Sequence, residues 1–204
     1  SSFQCWDLQA SPHVAVVLRI EPDHLDRHRG FEDYLAAKLN IVKYQTASDY
    51  CIYYNNNNDS IMIGQKSAGQ KSTYPITTHQ PEFKTLLDHL KIPGEHNREN
   101  AEAAILAVLD ILNLSLDELF DDKNQTIYQK IAHGLATFVG LPHRIQFVRE
   151  LNNVRYYDDN YSSAFPAADV AIKAFEGFPT ILIAGGKDRH LDLTAMKERF
   201  FSAK

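Results

Sequence analysis

Hydrophobic and polar residues alternate in blocks that predict strands and helices in turn. Residues 14–20 (VAVVLRI) form a β-branched apolar run between two prolines, which predicts a buried strand. Residues 31–44 carry apolar side chains at helical spacing, which predicts an amphipathic helix. Further helices are predicted over residues 97–112, 116–121, 127–139, 167–175 and 193–201, and further strands over 50–54, 60–64, 144–148, 154–157 and 180–184. This alternation predicts an α/β fold with largely parallel sheets.

A change of pattern after residues 140–142 (GLP) predicts a domain boundary. Beyond it, two short alternating runs are joined by Asn152 and Asn153, which predicts a β-hairpin. We therefore expect a first domain over residues 1–140 and a second over residues 141–204. Residues 65–80 are weakly patterned, and no element is predicted there.

Composition narrows the class of protein. A net charge of -5 over 204 residues argues against a nucleic-acid-binding protein, which usually has a basic surplus. No apolar run approaches the roughly 20 residues of a membrane helix, and no basic-then-apolar leader opens the chain. We expect a cytoplasmic protein with no membrane partner. Because the chain opens on residues 1–6 (SSFQCW) without an initiator Met, we expect it to be an internal piece of a larger protein.

Candidate chemistry begins in the loop after the first predicted strand, at residues 23–28 (DHLDRH). Ligands of open α/β sheets bind outside the carboxyl ends of the strands. A histidine and carboxylates in that place can hold a divalent cation or transfer protons. The same residues also suit a solvated loop with an Asp that caps the next helix, and the loop alone leaves both interpretations open.

Lys38 falls on the same face of the predicted helix as Phe31 and Tyr34. A lysine in an inward stripe must extend to water, pair with a carboxylate or lose its charge. A neutral amine can react with carbon dioxide, and the carbamate would be an anionic oxygen ligand suited to Mg²⁺. The alternative is a lysine stem that lies along the apolar edge with its head in water.

Four further polar features follow along the chain, and each is weak by itself. Asn97 and Asn100 share one face at a helix start, although Asn there commonly caps the helix. Residues 140–144 (GLPHR) lie at the predicted domain junction, where a cleft is expected. Residues 158–163 (DDNYSS) and 185–189 (GGKDR) each follow a predicted strand.

In this order and spacing, the six features resemble the Mur ligases, which form amide bonds in peptidoglycan synthesis at the expense of ATP. Residues 23–28 with residues 34–38 (YLAAK) resemble the metal loop and modified-lysine helix of that family. Residues 96–100 (HNREN) resemble its adenine-contacting HNxxN motif, and residues 140–144 resemble the start of its C-terminal domain. The resemblance extends to about Leu193. It implies part of the central ATP-binding domain, followed by the first part of a Rossmann-like C-terminal domain.

The resemblance also implies a role for each matched residue. His24 and Lys38 would bind Mg²⁺ and serve catalysis, Lys38 as a carbamate. The residues matched to ATP contacts are Asn97, Asn100, Arg144 and Asp159, and those matched to substrate contacts are His143, Ser163 and Arg189. The implied substrates are UDP-N-acetylmuramoyl-L-alanine and D-glutamate, and a monomer is expected.

The chain departs from the family pattern in three places. The family's metal-binding Glu would directly precede Ser1, and no G-x-x-x-x-G-K-[ST] phosphate loop occurs, so we expect no ligase activity from these residues alone. Residues 159–164 (DNYSSA) replace the family's DSKATN, and Arg189 replaces its Lys, which leaves the incoming amino acid open. The alternatives are a folylpolyglutamate synthase-like ligase and a non-catalytic nucleotide-binding relative.

Overall fold

A three-stranded parallel sheet organises the first part of the chain. The computed structural model describes residues 1–23, 27–77, 80–162 and 165–185. In chain order the elements are α1 (Ser2–Cys5), β1 (Val14–Val17), α2 (Phe31–Lys43), β2 (Tyr50–Tyr54), α3 (Asn58–Gln65), β3 (Gln70–Tyr74), α4 (Pro81–Leu87), α5 (Glu95–Leu112), α6 (Leu116–Leu119), a 3₁₀ turn (Asp122–Asn124), α7 (Gln125–Thr137), β4 (Gln146–Leu151), β5 (Val154–Asp158) and α8 (Phe165–Lys173). Strand β2 lies between β1 and β3, and both pairings are parallel. The predicted α/β class is confirmed.

The middle strand β2 is buried on both faces, as its near-continuous apolar sequence requires. Cys51 and Ile52 are fully buried on its opposite faces, and burial raises the pKa of the Cys51 thiol to about 11. The cluster on the Cys51 face consists of Ala15, Val17, Ile20, Tyr34, Val42, Cys51, Tyr53 and Ile63. The cluster on the other face consists of Ile52, Tyr54, Tyr74 and Ala103. The two faces are thus covered by α2 and α3 on one side and by α5 on the other.

The strand predicted over residues 60–64 is wrong, because these residues lie in helix α3. Asn57 begins the helix: its side-chain oxygen accepts the Ser60 N–H, and its amide donates to the carbonyl of Ile20 at 3.0 Å. Asparagine is a favoured helix N-cap, which suits Asn57 to this position. A three-residue apolar run does not distinguish a strand from a helix by periodicity.

The longer helices are otherwise confirmed with small shifts at their ends. Helix α5 begins two residues earlier than predicted, at Glu95, and α7 covers Gln125–Thr137. Helix α8 covers Phe165–Lys173. Across the described ranges, no helix combines the length and apolar character that crossing a membrane requires. The predicted helix over residues 193–201 lies outside the described residues.

Two compact units divide the chain. The first comprises Ser1–His89 and Glu99–His133, and the second comprises Leu90–Arg98 and the residues from Gly134 onward. In the second unit, β4 and β5 pair antiparallel across Asn152 and Asn153, whose φ angles are 51° and 61°. This is the predicted hairpin, with Asn at the two positions that need a positive φ. The domain boundary near residue 140 stays a prediction.

The buried strand predicted over residues 180–184 is wrong. These residues form no strand, and Ile181 and Ile183 are 93% and 95% exposed. A β-branched run becomes a strand only where a neighbouring strand takes up its backbone hydrogen bonds. The sheet described in this unit consists of β4 and β5 alone, so residues 180–184 pair with neither.

Candidate functional site

The loop after β1 brings Asp23 to the carboxyl edge of the parallel sheet. Asp23 is exposed, and its carboxylate contributes to the pKa of two side chains in α2, Tyr34 and Lys38. The pKa of the Tyr34 phenol is raised mainly by burial, and further by the negative charges of Asp23 and Glu21. His24 lies outside the described residues, so its role as a metal ligand stays a prediction.

Lys38 lies one turn beyond Tyr34 in α2 and is partly buried. Its Nζ atom is 4.8 Å from the centre of the Tyr34 ring, within the range of a cation–π contact. Burial lowers the pKa of the amine, against the opposite influence of Cys5 and Asp23. A lowered pKa increases the neutral fraction, which is the form that reacts with carbon dioxide. Burial thus makes the neutral amine more accessible than in an exposed lysine, while the contact with the Tyr34 ring suits the charged form.

Hydrogen bonds of Asn40 hold the first residues of the chain against α2. The Asn40 amide donates to the carbonyls of Cys5 and Trp6 at 2.9 and 3.1 Å. The Ser11 hydroxyl donates to the Asn40 carbonyl at 3.0 Å. These bonds hold the segment 1–11 beside the helix that carries Lys38.

The described residues supply only part of a metal site. Within the part of the chain that the structure describes, no group of three or more His, Cys, Asp or Glu side chains is placed to hold a metal ion. The exposed Asp23 carboxylate and a carbamate on Lys38 would both be oxygen donors, the kind that Mg²⁺ prefers. Oxygen donors of this kind would suit a magnesium ion, and the carbamate on Lys38 and the ligand role of His24 stay predictions.

The second unit places Asn97 and His96 at the start of α5. Gly94 precedes them with φ +103°, and a Cβ there would lie 2.5 Å from the His96 ring, so the turn requires glycine. The Asn97 amide donates to the Pro93 carbonyl at 2.7 Å. Burial lowers the pKa of His96, and the Asp159 carboxylate opposes that shift. Asn100, exposed on the same helix, belongs to the first unit.

Two successive carboxylates hold the loop that carries Arg144. His143 and Ile145, on either side of Arg144, have φ angles of 60° and 46°, in a region that costs energy for residues other than glycine. His143 Nδ1 lies 2.7 Å from an Asp158 oxygen, and the Ile145 N–H donates to Asp159 Oδ1 at 3.0 Å. These bonds offset the backbone strain and fix the direction in which the exposed Arg144 leaves the loop.

Asp159 and Tyr161 complete this loop. The other Asp159 oxygen accepts a short hydrogen bond from the Ser162 hydroxyl. The Tyr161 N–H donates to the His143 carbonyl at 3.1 Å, and the Arg144 guanidinium carbon lies 5.9 Å from the centre of the Tyr161 ring. Arg144 therefore stands over an aromatic face with its positive charge exposed.

Each of the two units contains part of the predicted site. The second unit contains Asn97, His143, Arg144 and Asp159, and the first contains Lys38 and Asn100. His24, Ser163 and Arg189 lie outside the described residues. From the sequence, Tyr34 was only an apolar-face residue and His28 only the end of a motif. Helical spacing could have paired Tyr34 with Lys38, since they are four residues apart.

Ligands of open α/β sheets bind outside the carboxyl ends of the strands, which is where the chain that carries Asp23 follows β1. Residues 4–108 match the family model described as the Mur ligase middle domain. The chain belongs to this family, which confirms the resemblance seen in the sequence.

Relatives with assigned names extend this match across most of the chain. The chain is 34% identical over 216 residues to UDP-N-acetylmuramoylalanine--D-glutamate ligase of Clostridium kluyveri, a match that covers 99% of this chain and 44% of that protein. It is 36% identical over 205 residues to the protein of the same name from Streptococcus gordonii, covering 93% of this chain and 42% of the relative. The chain thus spans less than half the length of these relatives.

Solved structures show the same fold. A crystal structure of MurF from Acinetobacter baumannii superposes with a TM-score of 0.59 over 81% of this chain and 37% of that chain. The two sequences are 21% identical, so this likeness concerns the fold alone.

Proposed function

We propose that this chain is part of a cytoplasmic, ATP-dependent ligase that joins D-glutamate to UDP-N-acetylmuramoyl-L-alanine in peptidoglycan precursor synthesis. Membership of the Mur ligase family and the names of the relatives support this proposal. The observation that carries it is Lys38, a partly buried amine whose pKa is lowered by burial and which interacts with Asp23 in the loop after β1. We further propose that the central domain ends near residue 140, where the C-terminal domain begins.

The proposed reaction has two steps. A carboxylate oxygen of the muramoyl substrate attacks the γ-phosphorus of ATP, and ADP leaves. The amino nitrogen of D-glutamate then attacks the carbonyl carbon of the acyl phosphate, inorganic phosphate leaves, and the amino group gives up a proton. Positioning and positive charge account for most of the catalysis of phosphoryl transfer. Mg²⁺, when bound, supplies positive charge that neutralises the phosphoryl oxygens.

In the first unit, Lys38 would contribute as a carbamate. Its neutral amine adds to the carbon of carbon dioxide and loses a proton, so a buried cation becomes an anion with two oxygens. Those oxygens, together with His24, would hold Mg²⁺. The partial burial that lowers the pKa of Lys38 supports this modification, because only the unprotonated amine reacts.

In the second unit, Arg144 would contact the nucleotide phosphates. Its exposed guanidinium and the fixed loop around it suit this role, because a preorganised cation need not reorient when negative charge develops. Asp159 would contact the ribose: its carboxylate already accepts from Ile145 and Ser162, but a carboxylate has about four acceptor positions.

The remaining residues would recognise the adenine and the substrates. Asn97 and Asn100 are assigned to the adenine, and His143, Ser163 and Arg189 to the substrate. Asn97 is already oriented by its bond to the Pro93 carbonyl, which leaves the amide in a fixed position at the start of α5.

Phosphate release by the longest natural protein that contains these residues tests the proposal. We expect ATP-dependent release only when UDP-N-acetylmuramoyl-L-alanine and D-glutamate are both present. A folate with L-glutamate should give none. Equal release with the folate pair would favour the folylpolyglutamate alternative, and ATP binding without release under any pair would favour the non-catalytic relative.

Lys43 provides a matched control for Lys38. Both lysines lie in α2, and each places its Nζ over a tyrosine ring, but Lys43 is exposed. We expect Lys38→Ala to lower the rate of phosphate release about 100-fold or more, as loss of a charge-stabilising group does. Lys43→Ala should change it by no more than about twofold, as expected of an exposed substitution.

A further inference from the structure

The imidazole of His28 is buried where three segments of the first unit meet. The residue is 5% exposed, and its Nε2 lies 3.0 Å from the Ser2 hydroxyl. Its Nδ1 lies 3.5 Å from an Asp33 carboxylate oxygen, beyond the range of a good hydrogen bond. The same Asp33 oxygen accepts the Arg29 N–H at 3.2 Å. His28 therefore bonds to the beginning of the chain while it lies beside the first turn of α2.

Aromatic rings enclose the imidazole. The Trp6 ring is nearly parallel to it, with centroids 4.7 Å apart and an interplanar angle of 15°, and the Phe3 ring is nearly parallel at 5.6 Å. The Tyr34 ring meets it edge-on at 5.4 Å. Trp6 and Phe3 are each 45% exposed, so they cover a polar ring that would otherwise face water. The two half-exposed aromatic rings therefore shield the His28 imidazole from water.

These contacts connect the parts of the chain to which the proposed metal site belongs. Ser2, Phe3 and Trp6 lie in or next to α1, and Asn40 fastens the same segment farther along α2. His28 lies between β1 and α2, and the Tyr34 ring that touches His28 also lies under Lys38. A shift of His28 would therefore move the first segment and the surroundings of Lys38 together.

We propose that His28 is a positioning residue that anchors the helix of Lys38 to the Ser2–Trp6 segment and so holds Lys38 in place for the proposed metal site. The inference rests on the proposed function, from which it takes the metal site. His28 acts through its stacked ring and its bond to Ser2, and it does not itself bind the metal ion.

The sole tryptophan of the chain reports on this contact without reference to any activity. His28→Ala removes both the stack and the bond to Ser2, whereas His28→Phe keeps a ring against Trp6. We expect acrylamide quenching of Trp6 fluorescence to increase in His28→Ala and to stay near the wild-type value in His28→Phe. His13→Ala is the matched control, because His13 also contacts a tyrosine edge and bonds to a side chain but is 61% exposed.

Mn²⁺ binding, measured by electron paramagnetic resonance without nucleotide on the longest natural protein that contains these residues, tests the positioning role. We expect His28→Ala to weaken binding about tenfold or more, as loss of a group that orients metal ligands does. Ser2→Ala keeps every ring and removes one hydrogen bond, and should weaken binding about fivefold. It also serves as the second variant if His28→Ala does not fold. His13→Ala should leave the affinity unchanged.

The outcomes separate this inference from the proposed function. Wild-type Mn²⁺ affinity in folded His28→Ala or Ser2→Ala overturns the positioning role, even if the wild-type protein ligates amino acids. A wild-type protein that binds no Mn²⁺ overturns it as well. Weaker Mn²⁺ binding in the variants of a protein that shows no ligation would support the positioning role and refute the ligase.

Discussion

Different interactions stabilise the two compact units of this chain. The first unit has a packed core in which large side chains such as Ile52, Leu86 and Leu109 are at most 1% exposed. Among the described residues of the second unit, the buried apolar side chains are Ile145 and Ala171, at 7% and 8% exposed. The second unit depends instead on hydrogen bonds that side chains make to loop backbone.

This difference determines how each unit prepares its candidate residues for chemistry. Packing in the first unit withdraws Lys38 from water, and the consequence is a shifted pKa. In the second unit, Asp158 and Asp159 hold strained backbone on either side of Arg144, and the consequence is a fixed direction for a side chain that stays exposed. Substitutions should therefore act through lost burial in one unit and through lost loop geometry in the other.

The largest expected effect comes from truncating the same residue type in both units. Leu109 in α5 is 1% exposed and Leu151 in β4 is 48% exposed. Leu109→Ala should lower the free energy of unfolding by about 2–5 kcal/mol, because it opens a cavity in the core. Leu151→Ala should cost less than about 1 kcal/mol. Urea unfolding measures both, and equal losses would contradict the contrast between the units.

A backbone substitution should show where the second unit is sensitive. Gly94→Ala should destabilise the start of α5 by about 1–3 kcal/mol, because φ is +103° and the added Cβ would meet the His96 ring. Gly177→Ala has a similar φ of +88° but open space around the Cβ, so only the backbone cost of about 1–2 kcal/mol remains. Amide hydrogen exchange in the first turn of α5 reports the loss. An effect of Gly177→Ala as large as that of Gly94→Ala would exclude the contact with His96 as the cause.

Removing a helix cap tests whether side-chain-to-backbone bonds also matter in the first unit. Asn57→Ala should cost about 1–2 kcal/mol of unfolding free energy, because its side chain caps α3 and bonds to the Ile20 carbonyl. The neighbouring exposed Asn58→Ala should cost less than about 0.5 kcal/mol. Thermal unfolding of the two variants gives the comparison. If both lose the same amount, the cap contributes little beyond helix propensity.

The smallest effects should appear in acid, at one Asp–His contact in each unit. The pKa of Asp158 is lowered first by its hydrogen bond to His143 and then by the Asn160 N–H. The pKa of Asp49 is lowered first by hydrogen bonds from Thr46 and then by the one to His13. A carboxyl group whose pKa is lowered in the folded protein stabilises the fold fully above its ordinary pKa of about 3.9. That stabilisation is lost as the pH falls through the lowered pKa.

Asp158→Asn should therefore loosen the Arg144 loop already at neutral pH, and it should abolish the further loosening that the wild-type loop shows below about pH 4. Asp49→Asn should do the same only for the turn before β2. Amide exchange of Ile145 and Thr46 as a function of pH measures the two sites. Loosening below about pH 4 that is the same in the wild type and in Asp158→Asn would exclude the Asp158 carboxylate as its cause.

The sequence predicted the helices whose apolar pattern repeats over several turns and the strand whose apolar run is continuous. Helix α2, helix α5 and strand β2 belong to this group, because burial alone determines their pattern. Strand β3 was not predicted, since its residues 70–73 (QKST) are polar at the edge of the sheet. Ile181 and Ile183 were predicted as a buried strand because their residue types favour one, yet pairing depends on a neighbour that periodicity does not reveal.

The sequence predicts those features of the candidate site that depend on the spacing of residues within one helix or loop. Helical phase alone singles out Lys38, but the fall in its pKa depends on how deeply α2 is packed. The stack of His28 on Trp6 joins residues 22 positions apart, and the bond between His143 and Asp158 joins residues 15 apart. Contacts of this kind follow from tertiary structure and leave no periodic signal in the chain.

The central claim is that Lys38 acts as an oxygen ligand in an amide-bond ligase, and chemical rescue of Lys38→Ala tests it most directly. A small carboxylate such as formate or acetate can occupy the space of the missing side chain and supply the oxygens that the carbamate provided. We predict that phosphate release by Lys38→Ala with UDP-N-acetylmuramoyl-L-alanine and D-glutamate is nearly lost, and that it returns in part with formate or acetate but not with chloride. Full activity of Lys38→Ala without any added carboxylate would contradict the account.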